Sequence, residues 1–78
     1  MNEQFDEYIA ERIFREKLVV ARKAIGLTQK ELGQRAGLDQ RTISRIESSK
    51  TSSPSLRMIL KYLNALGYEL DIVKIAPN

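Results

Sequence analysis

Around two isoleucines, Ile43 and Ile46, the chain sets Gln40, Arg41, Ser44, Arg45 and Ser48. At about 100° per residue, a helix that turns both isoleucines inward carries Arg41, Ser44, Arg45 and Ser48 outward, with Gln40 beside them at its exposed start. The chemistry available there is paired hydrogen bonding. A guanidinium donates two bonds together to guanine O6 and N7, a glutamine amide matches adenine N6 and N7, and serine is short and adaptable. Gln29 and Lys30 at the start of a preceding helix, with Lys50 in the following loop, offer the side chains and helix-end amides that hold phosphate oxygens. The pattern assigns Gln40, Arg41, Ser44 and Arg45 to base edges of double-stranded DNA and Gln29, Lys30 and Lys50 to its backbone.

Other chemistry is limited by inventory. The sequence has no histidine and no cysteine, which excludes disulfides, thiolate zinc sites, imidazole bases and Cys or His nucleophiles. Glu, Asp, Ser and Lys are present, but no glycine-rich phosphate loop or spaced carboxylate motif organises them. Neither an enzyme activity nor a metal or cofactor is expected. The longest apolar run, Leu18-Val19-Val20-Ala21, falls far short of the about 20 residues that span a bilayer. The expected location is the cytoplasm, without a membrane partner.

The net charge of +3 is unevenly spread: residues 1–16 hold five acids against two bases, whereas residues 17–61 hold ten bases against three acids. A basic middle suits a polyanion, because lysines and arginines release condensed counterions from phosphates on binding.

The elements that must position these residues follow from periodicity. Phe5, Ile9, Ile13 or Phe14, Leu18, Ala21 and Ile25 recur at helical steps over residues 5–25, as one helix or two, stopped by Gly26. Thr28 and Glu31 form a capping box that opens a short helix ending near Ala36. Gly37 suits a left-handed close, and Asp39 caps the reading helix through Glu47. A serine-rich loop follows, in which Ser53 or Ser55 caps a helix built on Leu56, Ile59, Leu60, Leu63 and Leu66 and terminated by Gly67. Residues 68–75 alternate and are rich in branched side chains, which predicts a strand. A lone strand leaves its ladder unpaired, so pairing with a second subunit is expected ahead of the alternative, a frayed tail. The expected fold is all-α: a small bundle of four to five helices with a helix-turn-helix, plus a short C-terminal β-strand pairing across a dimer. At 78 residues this is one domain, with a core small enough to gain from subunit pairing. It divides into an acidic helical extension (1–17), a core (18–67) and the strand (68–75).

The run Leu27-Thr28-Gln29-Lys30-Glu31-Leu32, the turn glycine Gly37, the run Thr42-Ile43-Ser44-Arg45-Ile46-Glu47, the loop lysine Lys50 and Ala65-Leu66-Gly67 together resemble the phage-repressor and Cro (Xre-type) helix-turn-helix family over residues 18–67. In that family the positions matching Gln40, Arg41, Ser44 and Arg45 face bases, and those matching Gln29 and Lys50 lie near the DNA backbone. Three positions depart from the pattern. Gly33 replaces the usual alanine and should loosen its helix by up to about 1 kcal/mol. Ser48-Ser49 replaces a common Asn-Gly or Ser-Gly. Asp39 puts a carboxylate where Ser or Thr often meets phosphate; it reads as an N-cap turned away from DNA ahead of an acceptor for a cytosine amino group.

The single short domain, the acidic start and the ending Leu66-Gly67-Tyr68-Glu69-Leu70-Asp71-Ile72 resemble antitoxins of the HigA and HipB type. That resemblance implies a homodimer that represses its own operon and neutralises a basic toxin. Glu3, Asp6, Glu7, Glu11 and Glu16 would complement such a toxin, although acids near a helix start also serve the helix dipole. The alternatives are a stand-alone or prophage repressor without a toxin and, less favoured, a protein-interaction module without DNA binding.

Overall fold

Every helix opens on a side-chain oxygen. Asp6 accepts from the amides of Tyr8 (3.0 Å) and Ile9 (3.1 Å) at the head of α1 (Glu7–Ile25). At α2 (Gln29–Ala36) the Thr28 hydroxyl accepts from the Glu31 amide at 3.1 Å while the Glu31 carboxylate accepts from the Thr28 amide at 2.9 Å, the reciprocal box expected from the sequence. Asp39 accepts from the Thr42 amide at 2.7 Å to open α3 (Gln40–Glu47), and Ser55 from Met58 at 3.2 Å to open α4 (Leu56–Ala65). Each cap satisfies a donor that the helix itself leaves free and contributes about 1 kcal/mol. The computed structural model describes residues 5–76, and these four helices are its regular elements.

The all-α bundle forms around α3, which packs against each of the other three helices, with α2 also resting on α4. Leu18, Leu32, Ile43, Ile46, Ile59, Tyr62, Leu63 and Leu66 form the buried core, flanked by Phe14, Ala21, Leu27, Leu38 and Ala65. Ile43 and Ile46 are fully enclosed, so α3 is held in place by its inward face.

Two faces differ from the sequence expectation. Residues 7–25 form one continuous helix, but Phe5, Ile9, Ile13 and Ile25 are exposed; the buried stripe of α1 is Arg15, Leu18 and Arg22. Reading only apolar residues as inward missed two charged side chains that find polar partners inside. On α4, Leu56 and Leu60 face solvent and Tyr62 is buried instead, because the inward set Ile59, Tyr62, Leu63 and Leu66 follows the three- and four-residue steps of one helix face.

The predicted strand over residues 68–75 does not form: among the described residues no strand is present. α4 ends where Gly67 donates to the Asn64 carbonyl (3.0 Å) and Tyr68 to the Leu63 carbonyl (2.9 Å), a pair of bonds that satisfies the last carbonyls and turns the chain away. Beyond it, Ile72, Val73 and Ile75 are 96%, 75% and 89% exposed. A strand is defined by its ladder, and within one chain this segment meets no other strand to pair with.

Candidate nucleic-acid interface

The geometry of the interface begins in the turn between α2 and α3. Gly37 sits at φ 71°, a left-handed conformation that closes α2, and the Leu38 amide donates to the Gly33 carbonyl at 2.9 Å. Gly33 is buried where the turn folds back over it: a Cβ there would lie 2.5 Å from the Leu38 carbonyl oxygen. The glycine expected to loosen α2 is thus the residue that lets the turn backbone approach. Asp39 is engaged as the cap of α3, and hydrogen bonding from Thr42 keeps its carboxyl below the usual range.

On the outer side of α3, Gln40, Arg41, Ser44 and Arg45 are all exposed, and none of their side chains hydrogen-bonds to another described residue. The helix therefore presents two guanidinium groups, one amide and one hydroxyl to whatever docks against it. Lys30 at the head of α2 and Lys50 in the loop after α3 are exposed as well. Gln29 is placed differently: half-buried, it donates through Nε2 to Glu47 at 3.0 Å. An amide nitrogen carries two N–H groups, so the second stays available at the start of α2, in an orientation set by Glu47.

Glu47 is the hub behind the reading helix. Arg22 donates to it twice, from Nε at 2.7 Å and from Nη2 at 3.0 Å, and spends Nη1 on the Leu27 carbonyl at 2.7 Å. The Tyr62 hydroxyl lies 2.6 Å from the same carboxylate and 3.0 Å from the Leu18 carbonyl; its single proton serves the nearer, charged acceptor. Burial alone would push the Glu47 carboxyl up, but hydrogen bonds from Arg22, Tyr62 and Gln29 outweigh it and hold the group below the usual carboxylate range. Burial, followed by the bond to Glu47, pushes the Tyr62 phenol well above its ordinary value, and the bond to Glu47 raises Arg22. The ion pair is charged and fixed, tying α1, α2 and α4 to the C-terminal end of α3.

A second buried arginine reaches the loop. Arg15 donates from Nη1 to the carbonyls of Ser48 and Thr51, the latter at 3.2 Å, and from Nη2 to the carbonyl of Ser52 at 2.6 Å. The Thr51 hydroxyl adds a bond of 2.8 Å to the Arg45 carbonyl. Sequence reasoning missed Arg15, Arg22, Glu47 and Tyr62 as supports of this surface. The available signal was Arg15, Leu18 and Arg22 recurring on one face of a helix, with the charged residues in register with a core leucine.

A sequence model of the helix-turn-helix family matches residues 20–73, more than half of the chain. This chain belongs to the Xre-like helix-turn-helix family. The family is a class of DNA-binding transcriptional regulators and not of enzymes. This helix-turn-helix protein is 39% identical over 59 residues to an uncharacterised HTH-type transcriptional regulator of Haemophilus influenzae; the match takes in 76% of the chain but 59% of the relative, so the chain spans about three-fifths of that protein's length. It is also similar to a chain of a solved toxin-antitoxin module from Streptococcus pneumoniae, with a TM-score of 0.73 and 37% identity, covering 95% of this chain and 86% of that one. Among the described residues no helix is long and apolar enough to cross a membrane.

Proposed function

We propose that this Xre-like protein is a sequence-specific transcriptional repressor that acts as an antitoxin, binding the promoter of its own operon and neutralising a cognate basic toxin by direct contact. The observation that carries the antitoxin role is the likeness to the pneumococcal module, because it extends over almost the whole chain and includes α1 in front of the helix-turn-helix. In this reading Gln40, Arg41, Ser44 and Arg45 contact base edges in the major groove, and Gln29, Lys30 and Lys50 contact phosphates. Supporting it, the first four are exposed side chains with no partner among the described residues, on a helix whose other face is locked into the core. The protein acts as a homodimer in the cytoplasm, where its DNA lies. The acidic start of the chain, with Glu3, Asp6, Glu7, Glu11 and Glu16, of which Glu3 lies outside the described residues, is the surface offered to the toxin.

The Haemophilus relative, named only as a transcriptional regulator, favours the second reading, a repressor without a toxin. One experiment separates them: affinity purification of the tagged protein from its native host, with the free protein and any complex tested on the promoter upstream of its gene. A stoichiometric small basic partner together with promoter binding supports the antitoxin. Promoter binding with no partner supports the autonomous repressor, and a partner without any DNA binding supports the interaction module.

A further inference from the structure

Arg15 lies in the acidic half of α1, before the helix-turn-helix begins, yet it is only 1% exposed. Among the described residues no carboxylate forms an ion pair with it. Its partners among the described residues are the main-chain carbonyls of Ser48, Thr51 and Ser52, and its buried Nε has no partner among them. Burying a guanidinium without a counter-ion is costly, so a residue serving only the core would be better apolar. What the arrangement secures is the loop that follows the reading helix. Three carbonyls are turned inward onto one rigid fork, and since carbonyl and amide point to opposite edges of a trans peptide, the amides of Ser49, Ser52 and Ser53 are turned the other way. The loop adjoins α3: one cleft is lined by Thr42, Arg45 and Ile46 of that helix and by Thr51, Ser52 and Ser53 of the loop. The exposed Lys50 sits between the clamped carbonyls of Ser48 and Thr51, its own amide donating to the Ser48 hydroxyl at 3.2 Å.

We propose that Arg15 is a positioning residue for DNA binding: by clamping residues 48–52 from inside, it fixes Lys50 where it meets a phosphate in register with Arg41 and Arg45. A polar surface loop without such a clamp would have to be ordered on docking, at a cost in affinity. The inference rests on the DNA-binding reading above and names the device that makes the loop contact effective.

The test uses the full chain on two labelled duplexes of equal length, one carrying the promoter upstream of its gene and one scrambled, titrated across a salt series. Wild type is compared with Arg15→Met, Arg15→Lys, Lys50→Ala and the doubles of each Arg15 variant with Lys50→Ala, with the folded fraction of each followed by circular dichroism. Arg15→Met is expected to weaken both duplexes alike and to flatten the salt dependence by about 0.9 in log–log slope, the loss of one phosphate contact. Adding Lys50→Ala should then change affinity by no more than about twofold, because the contact is already gone. Arg15→Lys keeps the charge but lacks the planar fork, so its loss should be intermediate; it carries the same test if Arg15→Met does not fold. Wild-type affinity and slope in the folded Arg15 variants would overturn the proposal, and so would losses that multiply in the doubles. Wild type binding neither duplex would instead overturn the DNA-binding reading, and the positioning role with it.

Discussion

The Glu47 carboxylate takes hydrogen bonds from side chains of three different helices, Arg22, Gln29 and Tyr62, so its charge is held by the fold and not by water. Its pKa is lower in the folded chain than in the unfolded one, where a glutamate titrates at about 4.3. The stability this provides is fully present above that value and is lost as pH falls through the folded pKa. Urea midpoints measured from pH 7 down to pH 3 should therefore fall in the wild type and fall less steeply in Glu47→Gln. Removing the partner is expected to cost more than removing the charge. Arg22→Met leaves a carboxylate with side-chain exposure of 5% without its cation, a loss of about 3–5 kcal/mol, which denaturant unfolding would register as most of the stability of so small a chain. The outward residues behave differently. Arg41→Ala or Arg45→Ala should cost about 1–3 kcal/mol on the promoter and relax base preference, while Lys50→Ala weakens all sequences alike; binding to matched and scrambled duplexes distinguishes the two classes, and equal losses on both duplexes for all three would remove the base-reading assignment.

Among the elements, the turn from α2 to α3 sets how the reading helix is presented, and Gly33 is its tightest point. Helix propensity alone says that Gly33→Ala should stabilise α2. The 2.5 Å approach of a Cβ to the Leu38 carbonyl says the reverse, because a backbone atom and not a flexible side chain has to move. The expected outcome is a destabilisation of about 1–3 kcal/mol, measured as a lowered urea midpoint with an unchanged slope; a raised midpoint would show that the turn shifts freely. The contrast marks what could be read from sequence. Caps and terminators acting over three or four residues were legible: Thr28 with Glu31, Asp39, Gly37 and Gly67 all do what their local chemistry implies. So was the exposed face of α3, since Ile43 and Ile46 fix its rotation. Contacts between distant parts of the chain were not. Arg15 meets its carbonyls 33 to 37 residues later and Arg22 meets Glu47 25 residues later; in a single sequence an arginine bound this way looks the same as one in water.

At the scale of the whole molecule, the segment after Gly67 takes no part in the core, whose last buried residue is Leu66. It nevertheless carries Ile72, Val73 and Ile75, each at least three-quarters exposed, and the family match continues through residue 73. Branched apolar side chains left in water are a cost that a second copy of the chain can remove by covering them. A truncation that ends the chain at Gly67 should therefore leave the helices and their thermal unfolding nearly intact while weakening self-association. If a dimer reads two half-sites about 34 Å apart, promoter affinity should fall with it even though every residue proposed to contact bases is still present. Sedimentation across a concentration series, paired with promoter binding, checks both halves of this expectation. A dimer that survives truncation would place the interface on the helices, with the apolar groove of Phe14, Val20, Ala21 and Leu63 between α1 and α4 as its first candidate. A monomeric truncation that keeps full promoter affinity would mean that one reading helix suffices and that the operator need not be a palindrome.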